Sequence, residues 1–358
     1  MPTPALAQRT RQHIIRLCHA GLDSRTLRLE ILRGLRAVVP VDAAFFATLD
    51  PATLLFTDAV SDPVLQDATF SFLNNEFLQD DVNKFVTLSR SRTPVRTLVQ
   101  ATARNLEDSW RYRDILAPLA LGDELRAVVR TGSLSWGCIC LHREIGERGF
   151  SADEVRFVAD LAPHIAAGLR ASVLASRVAT EASADLGLLV LAEDFSVVAR
   201  TPLADRWLSE MSNDSRSGWE LPPAVYAVAA RLRALQRGVQ LEPELMPRLR
   251  LQTDAGRWLT IHASSMTGTG AQLQTAVFLE EARPVEIAPL ILSAHQLTAR
   301  EGEITQLVLQ GRSTAEISEK LCITLNTVQD YLKSIFDKVG VRSRRELVAE
   351  LFNQHYVQ

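Results

Sequence analysis

The chain has 358 residues, with 39 basic and 42 acidic side chains and 47% hydrophobic residues. This length favours two or three domains, and the composition is that of a folded, soluble protein with substantial cores. The formal charge of −3 does not indicate nucleic acid, so DNA binding would have to rest on a local surface.

The four cysteines, Cys18, Cys138, Cys140 and Cys322, form no CxxC pair, and no histidines stand at zinc-finger spacing. We therefore expect no metal site, no cofactor and no disulfide framework. Cys138 and Cys140 share one face of a strand and are expected to be buried as small apolar residues. No signal peptide is evident, and apolar windows such as Leu186–Ala192 are too short to cross a bilayer. The sequence thus predicts a cytoplasmic protein without membrane contact.

Residues 10–170 are predicted to form an α+β domain. Apolar side chains recur at helical spacing over residues 10–39. Two later apolar strands, Leu125–Arg130 and Trp136–His142, are separated by a turn and predict a hairpin. A Ser-x-x-Glu capping box at Ser151 then begins a closing helix. Helix, antiparallel strands and closing helix together indicate the α+β class.

This block resembles a GAF sensor domain in three segments: Gly122–Arg130, Trp136–Arg143 and Phe150–Glu154. The resemblance implies a small-ligand pocket walled partly by the two hairpin strands, with Trp136 as a fluorescence reporter. The alternative is a module for packing and dimerisation only, because the residues themselves show a core and no cysteine–histidine pair that would anchor a bilin.

A second α+β block is predicted at residues 185–283. Two short strands and a helix precede three further strands, Arg248–Gln252, Trp258–Ser264 and Gln274–Leu279. This order resembles a PAS domain. The preceding linker, residues 171–184, is helical in composition and is either a signalling helix or a plain connector. Residues 284–293 form a second linker.

The last block, residues 294–358, is predicted to be an all-α domain of four helices. Three capping boxes mark helix starts, at Thr298, Ser313 and Ser343. Thr324 is the expected cap of the helix Leu325–Val339, whose apolar and polar side chains lie on opposite faces. A link of only three residues joins it to the preceding helix and predicts a helix-turn-helix.

Several segments of this block closely resemble the LuxR-type helix-turn-helix family: Leu297–Ile304, Gly311–Ile317, Thr327–Val328 and Phe336–Arg344. With the two preceding blocks, the whole chain resembles actinobacterial regulators that combine such sensors with this domain. The resemblance implies a transcription regulator whose second motif helix enters the major groove of double-stranded DNA.

The resemblance and the residue chemistry predict a set of DNA contacts: Thr314, Asn326, Thr327, Gln329, Asp330, Lys333, Arg342 and Arg344. Gln329 can pair with adenine and Asp330 can accept from cytosine, while hydroxyls and cations hold phosphates. From Asn326 to Arg345 there are five cations and two acidic groups, an excess of three positive charges. Many family members have lysine and histidine at the positions of Gln329 and Tyr331, so the operator sequence stays open.

Several of these side chains also have a purely structural interpretation. Asp330 could pair with a nearby arginine, Tyr331 could pack at the helix edge, and Lys338 could be a solvated charge favoured by the helix dipole. In the last helix, apolar positions are expected to leave a surface for a two-fold dimer: Leu347, Val348 and Leu351.

We expect no enzyme, because the sequence has no phosphate-binding loop, no HExxH motif and no GxSxG elbow. A response regulator is disfavoured, since the helical first forty residues do not offer a doubly wound receiver. The alternative to a ligand-gated regulator is a DNA-binding scaffold whose first two blocks mediate only dimerisation or protein contacts. Expected partners are double-stranded DNA, a second copy of the chain, a small-molecule effector and RNA polymerase.

Overall fold

The computed structural model describes six stretches of the chain: residues 3–146, 148–175, 186–211, 220–239, 245–267 and 273–356. Within them the chain forms thirteen α-helices and two five-stranded sheets. Every strand pair is antiparallel. The expected class, α+β blocks followed by an all-α C-terminal domain, is therefore confirmed at this level.

The first sheet pairs its strands in the order β2-β1-β5-β4-β3. These strands are β1 (Ala43–Leu49), β2 (Phe56–Ser61), β3 (Val95–Thr97), β4 (Leu121–Thr131) and β5 (Leu134–Glu144). The helices of this block are α1 (Pro4–Cys18), α2 (Ser24–Arg36), α3 (Thr69–Leu78), α4 (Phe85–Arg90), α5 (Leu98–Ala101) and α6 (Ala152–Ala175). Side chains of α1, α2 and α6 share a core with one face of the sheet, whereas α3 and α4 pack on the other.

The predicted hairpin is confirmed as β4 and β5, with Gly132 at φ +60° in its turn. The helical segment expected over residues 10–39 is divided in two. Gly21 adopts φ +69°, and Asp23 caps α2 by accepting from the Thr26 N–H at 2.9 Å. The apolar residues continue at helical spacing on both sides of this break because α1 and α2 bury side chains in the same core.

Among the described helices, α6 is the one that is long and apolar enough to span a membrane by length and composition. The expectation that the apolar windows of the sequence are too short to cross a bilayer does not hold for this helix by length and composition. Its side chains Leu161, Ile165 and Leu169 are buried, and the helix packs against α1, β4 and β5. Burial against its own sheet accounts for the apolar composition of α6.

The second sheet has the order β7-β6-β10-β9-β8. When its strands are numbered one to five along the chain, this order is the same as that of the first sheet. Its strands are β6 (Gly187–Leu191), β7 (Val197–Arg200), β8 (Arg248–Gln252), β9 (Trp258–Thr267) and β10 (Leu273–Glu281). Two helices accompany it, α7 (Pro202–Glu210) and α8 (Pro223–Gln236). Most of the predicted linker 171–184 lies outside the described residues.

The remaining helices are α9 (Pro284–Ala294), α10 (Ala299–Leu309), α11 (Thr314–Leu321), α12 (Leu325–Val339) and α13 (Arg344–Tyr356). The segment expected as a linker at residues 284–293 is thus the helix α9. Three of its side chains, Ile287, Leu290 and Ile291, are buried in a core shared with α6 and with the C-terminal helices. This linker is therefore a structural element that joins two blocks.

Helix α8 packs between the two sheets because its side chains are small. It contacts α3 and β2 of the first block and β9 of the second. Half of its ten buried positions are alanine: Ala224, Ala227, Ala229, Ala230 and Ala234. Short side chains allow close approach of backbones on both sides of the helix, so one apolar cluster runs through both blocks.

A buried ion pair joins the first two blocks to α9. Arg250 on β8 donates from Nε, at 3.0 Å, and from Nη2, at 2.8 Å, to the two carboxylate oxygens of Asp50 after β1. The Arg250 backbone N–H also donates to Asp50, and Nη1 donates to the Glu286 carbonyl of α9 at 2.8 Å. Only 1% of the Asp50 side chain is exposed. One guanidinium therefore links three segments that are far apart in sequence.

We predict that Arg250→Ala lowers the free energy of unfolding by about 3–5 kcal/mol, because it leaves the Asp50 carboxylate buried without a counter-charge. Arg248→Ala on the same strand is the matched control. Its ion pair with Glu286 leaves the arginine side chain 45% exposed, so its loss should be at most about 1 kcal/mol. Urea denaturation followed by circular dichroism measures both. Equal losses for the two variants would contradict the role assigned to Arg250.

Candidate nucleic-acid interface

Helices α10 and α11 begin in the capping boxes that the sequence predicts. The Thr298 hydroxyl accepts from the Glu301 N–H at 3.3 Å, and Glu301 accepts from the Thr298 N–H at 2.7 Å. Ser313 and Glu316 repeat this exchange at 3.3 and 2.7 Å. Each box satisfies two backbone donors that the helix itself leaves free.

The third predicted box, at the start of α13, is formed only in part. Ser343 accepts from the Glu346 N–H at 3.1 Å, as expected. The Glu346 carboxylate, however, accepts from the N–H of Arg342, one residue before the cap, at 2.8 Å. The glutamate thereby fixes the turn between α12 and α13.

The turn between α11 and α12 is short because Cys322 adopts a left-handed conformation, with φ +52°. Ser318 closes the turn by donating its hydroxyl to the Ile323 carbonyl at 2.6 Å. Thr324 then caps α12 by accepting from the Thr327 N–H at 3.1 Å, as the sequence predicts. This geometry forms a helix-turn-helix from α11 and α12.

Helix α12 is amphipathic in the way that its spacing predicts. Its apolar face is buried against the rest of the domain through Val328, Leu332, Ile335 and Val339. The opposite face exposes four of the predicted site residues: Asn326, Gln329, Asp330 and Lys333. The fold therefore brings these four side chains together on one accessible helix surface.

The other predicted site residues lie at helix ends around this surface. Thr314 begins α11, and its side chain is half-buried. The Thr327 hydroxyl lies 2.8 Å from that of Thr324, within the cap of α12. Arg342 is exposed between α12 and α13, whereas the guanidinium of Arg344 donates to the Arg312 carbonyl. Arg344 thus has a structural contact within the domain that its sequence context did not suggest.

Each of the three structural alternatives has an outcome. No ion pair of Asp330 exists among the described residues, so its carboxylate stays available on the exposed face. Tyr331 is half-buried against the apolar core, which supports packing at the helix edge. Lys338 is exposed in the last turn of α12, as that interpretation expects, but its ammonium also donates to Glu301 at 2.6 Å.

Glu301 connects α10 with α12, and the sequence pattern revealed only its role in the cap. Its carboxylate also accepts from the Ser334 hydroxyl at 2.7 Å and from Lys338. Burial opposes ionisation, but the hydrogen bonds from Lys338, Thr298 and Ser334 lower the pKa of the Glu301 carboxyl to about 2. The position of the exposed face of α12 therefore depends on one charged side chain of α10.

The apolar surface expected on α13 is largely buried against other helices of the same chain. Leu347 and Leu351 are buried, and α13 contacts α9, α10 and α12. Only Val348 of the three predicted positions is half-buried. The premise that these leucines are free for a partner is wrong, because α9 covers part of the helix.

A network of buried charges lies on the α3 side of the first sheet. Arg111 Nε and Arg126 Nε donate to the two carboxylate oxygens of Glu124, at 2.7 and 3.0 Å. Arg126 Nη1 also donates to Glu76 at 2.7 Å. All four side chains are at least 96% buried. Burial opposes ionisation, but the two arginines lower the pKa of Glu124 to about 2.

Glu124, Cys140 and His142 form the one group of three metal-ligand side chains found together in the described chain. Burial lowers the pKa of His142 to about 4 and raises that of the Cys140 thiol, so both side chains are neutral at pH 7. Both oxygens of Glu124 are engaged by arginines, whose charges repel a cation. The group therefore fits an ion-pair network better than a metal site. Cys138 and Cys140 are buried, as predicted.

The cavity inside the first block is small. Its volume is about 30 Å³, close to the space of a single water molecule, and it is lined by Phe45, Phe72 and His142 among others. Of the two hairpin strands predicted to wall a ligand pocket, only His142 lines this cavity, so the cavity does not correspond to the predicted pocket.

Comparison with known proteins places a family match on the C-terminal domain. Residues 295–351 match the model described as bacterial regulatory proteins, luxR family. The spore germination protein GerE of Bacillus subtilis is 38% identical over 55 residues, which are 15% of this chain and 74% of GerE. The transcriptional regulatory protein DesR of the same organism is 37% identical over 65 residues, which are 18% of this chain and 33% of DesR.

Two solved structures resemble the chain more distantly. The VqsR LBD domain from Pseudomonas aeruginosa has a TM-score of 0.33 at 18% identity, covering 45% of this chain and 95% of that one. The Vibrio cholerae VqmA–ligand–DNA complex has a TM-score of 0.22 at 18% identity, covering 49% and 84%. These scores are too low to support a functional argument, so the family membership rests on the C-terminal domain.

We predict that Glu301→Gln destabilises the C-terminal domain at pH 7 by about 1–3 kcal/mol, because it weakens a charge-assisted hydrogen bond and removes the partner of Lys338. The folded-state pKa lies below the ordinary value of 4.5. The contribution of this carboxylate is therefore present above pH 4.5 and lost as the pH falls towards 2.

The matched control is Glu303→Gln, since among the described residues Glu303 forms only an exposed pair with Arg300 on the same helix. Urea unfolding of both variants at pH 7 and at several lower pH values measures the difference. A Glu301→Gln variant as stable as the control at pH 7 would refute the role of this carboxylate.

Proposed function

The chain belongs to the luxR family of bacterial regulatory proteins through its C-terminal domain, and from this premise we propose that it is a sequence-specific DNA-binding transcription regulator. The observation that carries the proposal is the exposed polar face of α12. Asn326, Gln329, Asp330 and Lys333 lie on this face, while the apolar side chains of the helix hold it to the domain. An α-helix with such a face fits the major groove of B-DNA.

The chemistry of this face supports base reading by two of its residues. Gln329 offers an amide donor and acceptor together, which match the N6 and N7 atoms of adenine. Asp330, without an ion pair among the described residues, is available to accept from the amino group of cytosine. Both groups are therefore free to exchange their water contacts for a base edge.

The cations around this face are expected to contact the DNA phosphates. Lys333, Arg342 and Arg345 have no side-chain partner among the described residues. Lys338 is neutralised by Glu301, so it adds little to the field at the interface. The positive surface is consequently smaller than the residue count suggests. We expect a moderate salt dependence of DNA binding.

We propose a two-fold dimer on DNA, because one α12 reads only a few base pairs and a pair of half-sites supplies the remaining specificity. The buried leucines of α13 are not part of its interface as the chain stands. The interface would use other surfaces or require α9 to move away from α13.

We further propose that the first two blocks are GAF-like and PAS-like sensors that gate DNA binding in response to a small effector. The support is continuity of the core: the first sheet, α6, α9 and the helix-turn-helix domain belong to one apolar cluster. The scaffold alternative, in which these blocks only dimerise or bind proteins, predicts no stabilisation by any small molecule.

A transcription regulator of this type would act in the cytoplasm, without enzymatic activity of its own. RNA polymerase is the partner through which it would change transcription. Genome-wide mapping of bound DNA would identify the operator and the regulated genes.

We predict that Gln329→Ala relaxes the preference at one base pair and weakens binding to the best site by about 1–3 kcal/mol. Lys333→Ala should instead weaken binding to all sequences similarly and lower the salt slope by about one, if its partner is a phosphate. Binding isotherms on matched and singly mismatched operators, at several salt concentrations, measure both effects.

The matched control is Gln306→Ala, which removes an exposed glutamine of α10 outside the helix-turn-helix. It should leave both affinity and specificity unchanged. Equal losses of Gln329→Ala on operator and random DNA would show that Gln329 reads no base.

We predict that the protected DNA contains two half-sites whose centres lie about one helical turn apart, or a multiple of it. A dimer with two α12 helices on one side of the duplex requires this spacing. Footprinting on operators with one, two or respaced half-sites tests the requirement. Full affinity for a single half-site would rule out the dimer.

A further inference from the structure

The first residue of α12, Leu325, is an apolar side chain that is 50% exposed at the proposed DNA-binding surface. Leu325 belongs to none of the apolar clusters formed by the described residues. All other large apolar side chains of α12 lie in the domain core or pack against it: Val328, Tyr331, Leu332, Ile335, Phe336 and Val339. Packing within the domain therefore does not account for a leucine at this position.

The backbone that carries Leu325 is held in place by the turn before it and by the helix cap. Ser318 donates to the Ile323 carbonyl at 2.6 Å and closes the turn. Thr324 accepts from the Thr327 N–H at 3.1 Å, and the two hydroxyl oxygens lie 2.8 Å apart. The backbone at Leu325 consequently loses little conformational freedom when this side chain is buried at an interface.

Leu325 is a neighbour of Gln329 on the surface of α12, because the two residues are four positions apart. Side chains at this spacing have about 5–6 Å between their Cβ atoms. Asn326 is exposed beside them, and none of the three side chains carries a charge. In helix-turn-helix proteins, the N-terminal residues of the second helix contact base edges. Leu325 therefore lies next to the residue that is proposed to read adenine.

Thymine is the one base that presents a methyl group in the major groove, beside its O4 acceptor. Guanine, adenine and cytosine present mainly hydrogen-bonding groups there. A leucine that packs on the thymine methyl group removes apolar surface of both partners from water. The same leucine on a guanine oxygen or a cytosine amino group would bury a polar group without a partner. An exposed leucine at this position thus favours thymine over the other bases.

We propose that Leu325 reads a thymine of the operator through its 5-methyl group. Successive base pairs of B-DNA are about 3.4 Å apart. A side chain about 5–6 Å from that of Gln329 therefore reaches a base one or two steps from the adenine. This inference rests on the proposed function, because it assigns a further base to the same helix. The contact involves no phosphate, so it contributes nothing to the salt slope.

Replacement of single thymines by deoxyuridine tests this contact, because uracil differs from thymine only in lacking the 5-methyl group. The full chain first selects its operator from a pool of random duplexes, and each thymine of that operator is then replaced in turn. At one position, the unaltered protein should bind the thymine operator about fourfold more tightly than the uracil operator, the factor expected for one methyl group. The salt slopes of the two operators should be equal.

Leu325→Ala should reduce this ratio of affinities to about one, because the side chain that contacts the methyl group is removed. Leu325→Met keeps an apolar side chain of similar volume and should keep the ratio well above one. Leu29→Ala is the matched control, since Leu29 is 43% exposed on α2, outside the helix-turn-helix. It should leave the ratio at about four. Both alanine variants should melt at nearly the same temperature as the unaltered protein, because both leucines are exposed.

A ratio of about one at every thymine for the unaltered protein would overturn the inference. A ratio that stays near four in Leu325→Ala would also overturn it, because another residue would then contact the methyl group. The sensitive thymine should lie one or two base pairs from the position where Gln329→Ala relaxes the preference, and a greater distance would contradict the proposed geometry. If the random pool yields no preferred sequence, the proposed function fails together with this inference. An operator without a methyl effect overturns only the reading by Leu325.

Discussion

The arrangement of the blocks depends on the buried pair of Arg250 and Asp50. Asp50 follows the first strand of the chain, and Arg250 lies 200 residues later, yet the Asp50 side chain is almost fully buried and that of Arg250 is only 12% exposed. A carboxylate in such a place is stable only with a counter-charge and several donors, and Arg250 supplies three N–H groups. Because the same guanidinium also holds the Glu286 carbonyl, the position of α9 follows from this contact.

The C-terminal domain shows a different balance between local and long-range interactions. Capping residues and helix periodicity specify where each helix begins, and they act over three or four residues. The packing of α10 against α12 depends in addition on Glu301, Ser334 and Lys338. The polar face of α12 is therefore held by a carboxylate that also caps another helix. Glu301 thus serves both the local cap of α10 and the tertiary contact with α12.

The first block buries several charges where a sensor would be expected to hold a ligand. Glu76, Glu124, Arg111 and Arg126 pair with one another, and aromatic rings of Phe72 and Phe85 lie against Arg126. Such a network fixes one packing of the sheet and its helices, because every member loses its partner if the packing changes. It leaves little room within the block, whereas the space between blocks is open.

The sequence by itself determined the helix-turn-helix, its caps and the exposed stripe of Gln329 and Lys333, because these follow from interactions between near neighbours. It also predicted the β4–β5 hairpin, and it predicted the burial of Cys138 and Cys140 because alternate side chains of a strand lie on the same face. It could not reveal the break between α1 and α2, the partners of Lys338 and Arg344, or the covering of Leu347 by α9. Those features depend on which distant segments pack together, and residue spacing along the chain carries no information about such contacts. The pairing of Asp50 with Arg250 was decided only by the tertiary structure.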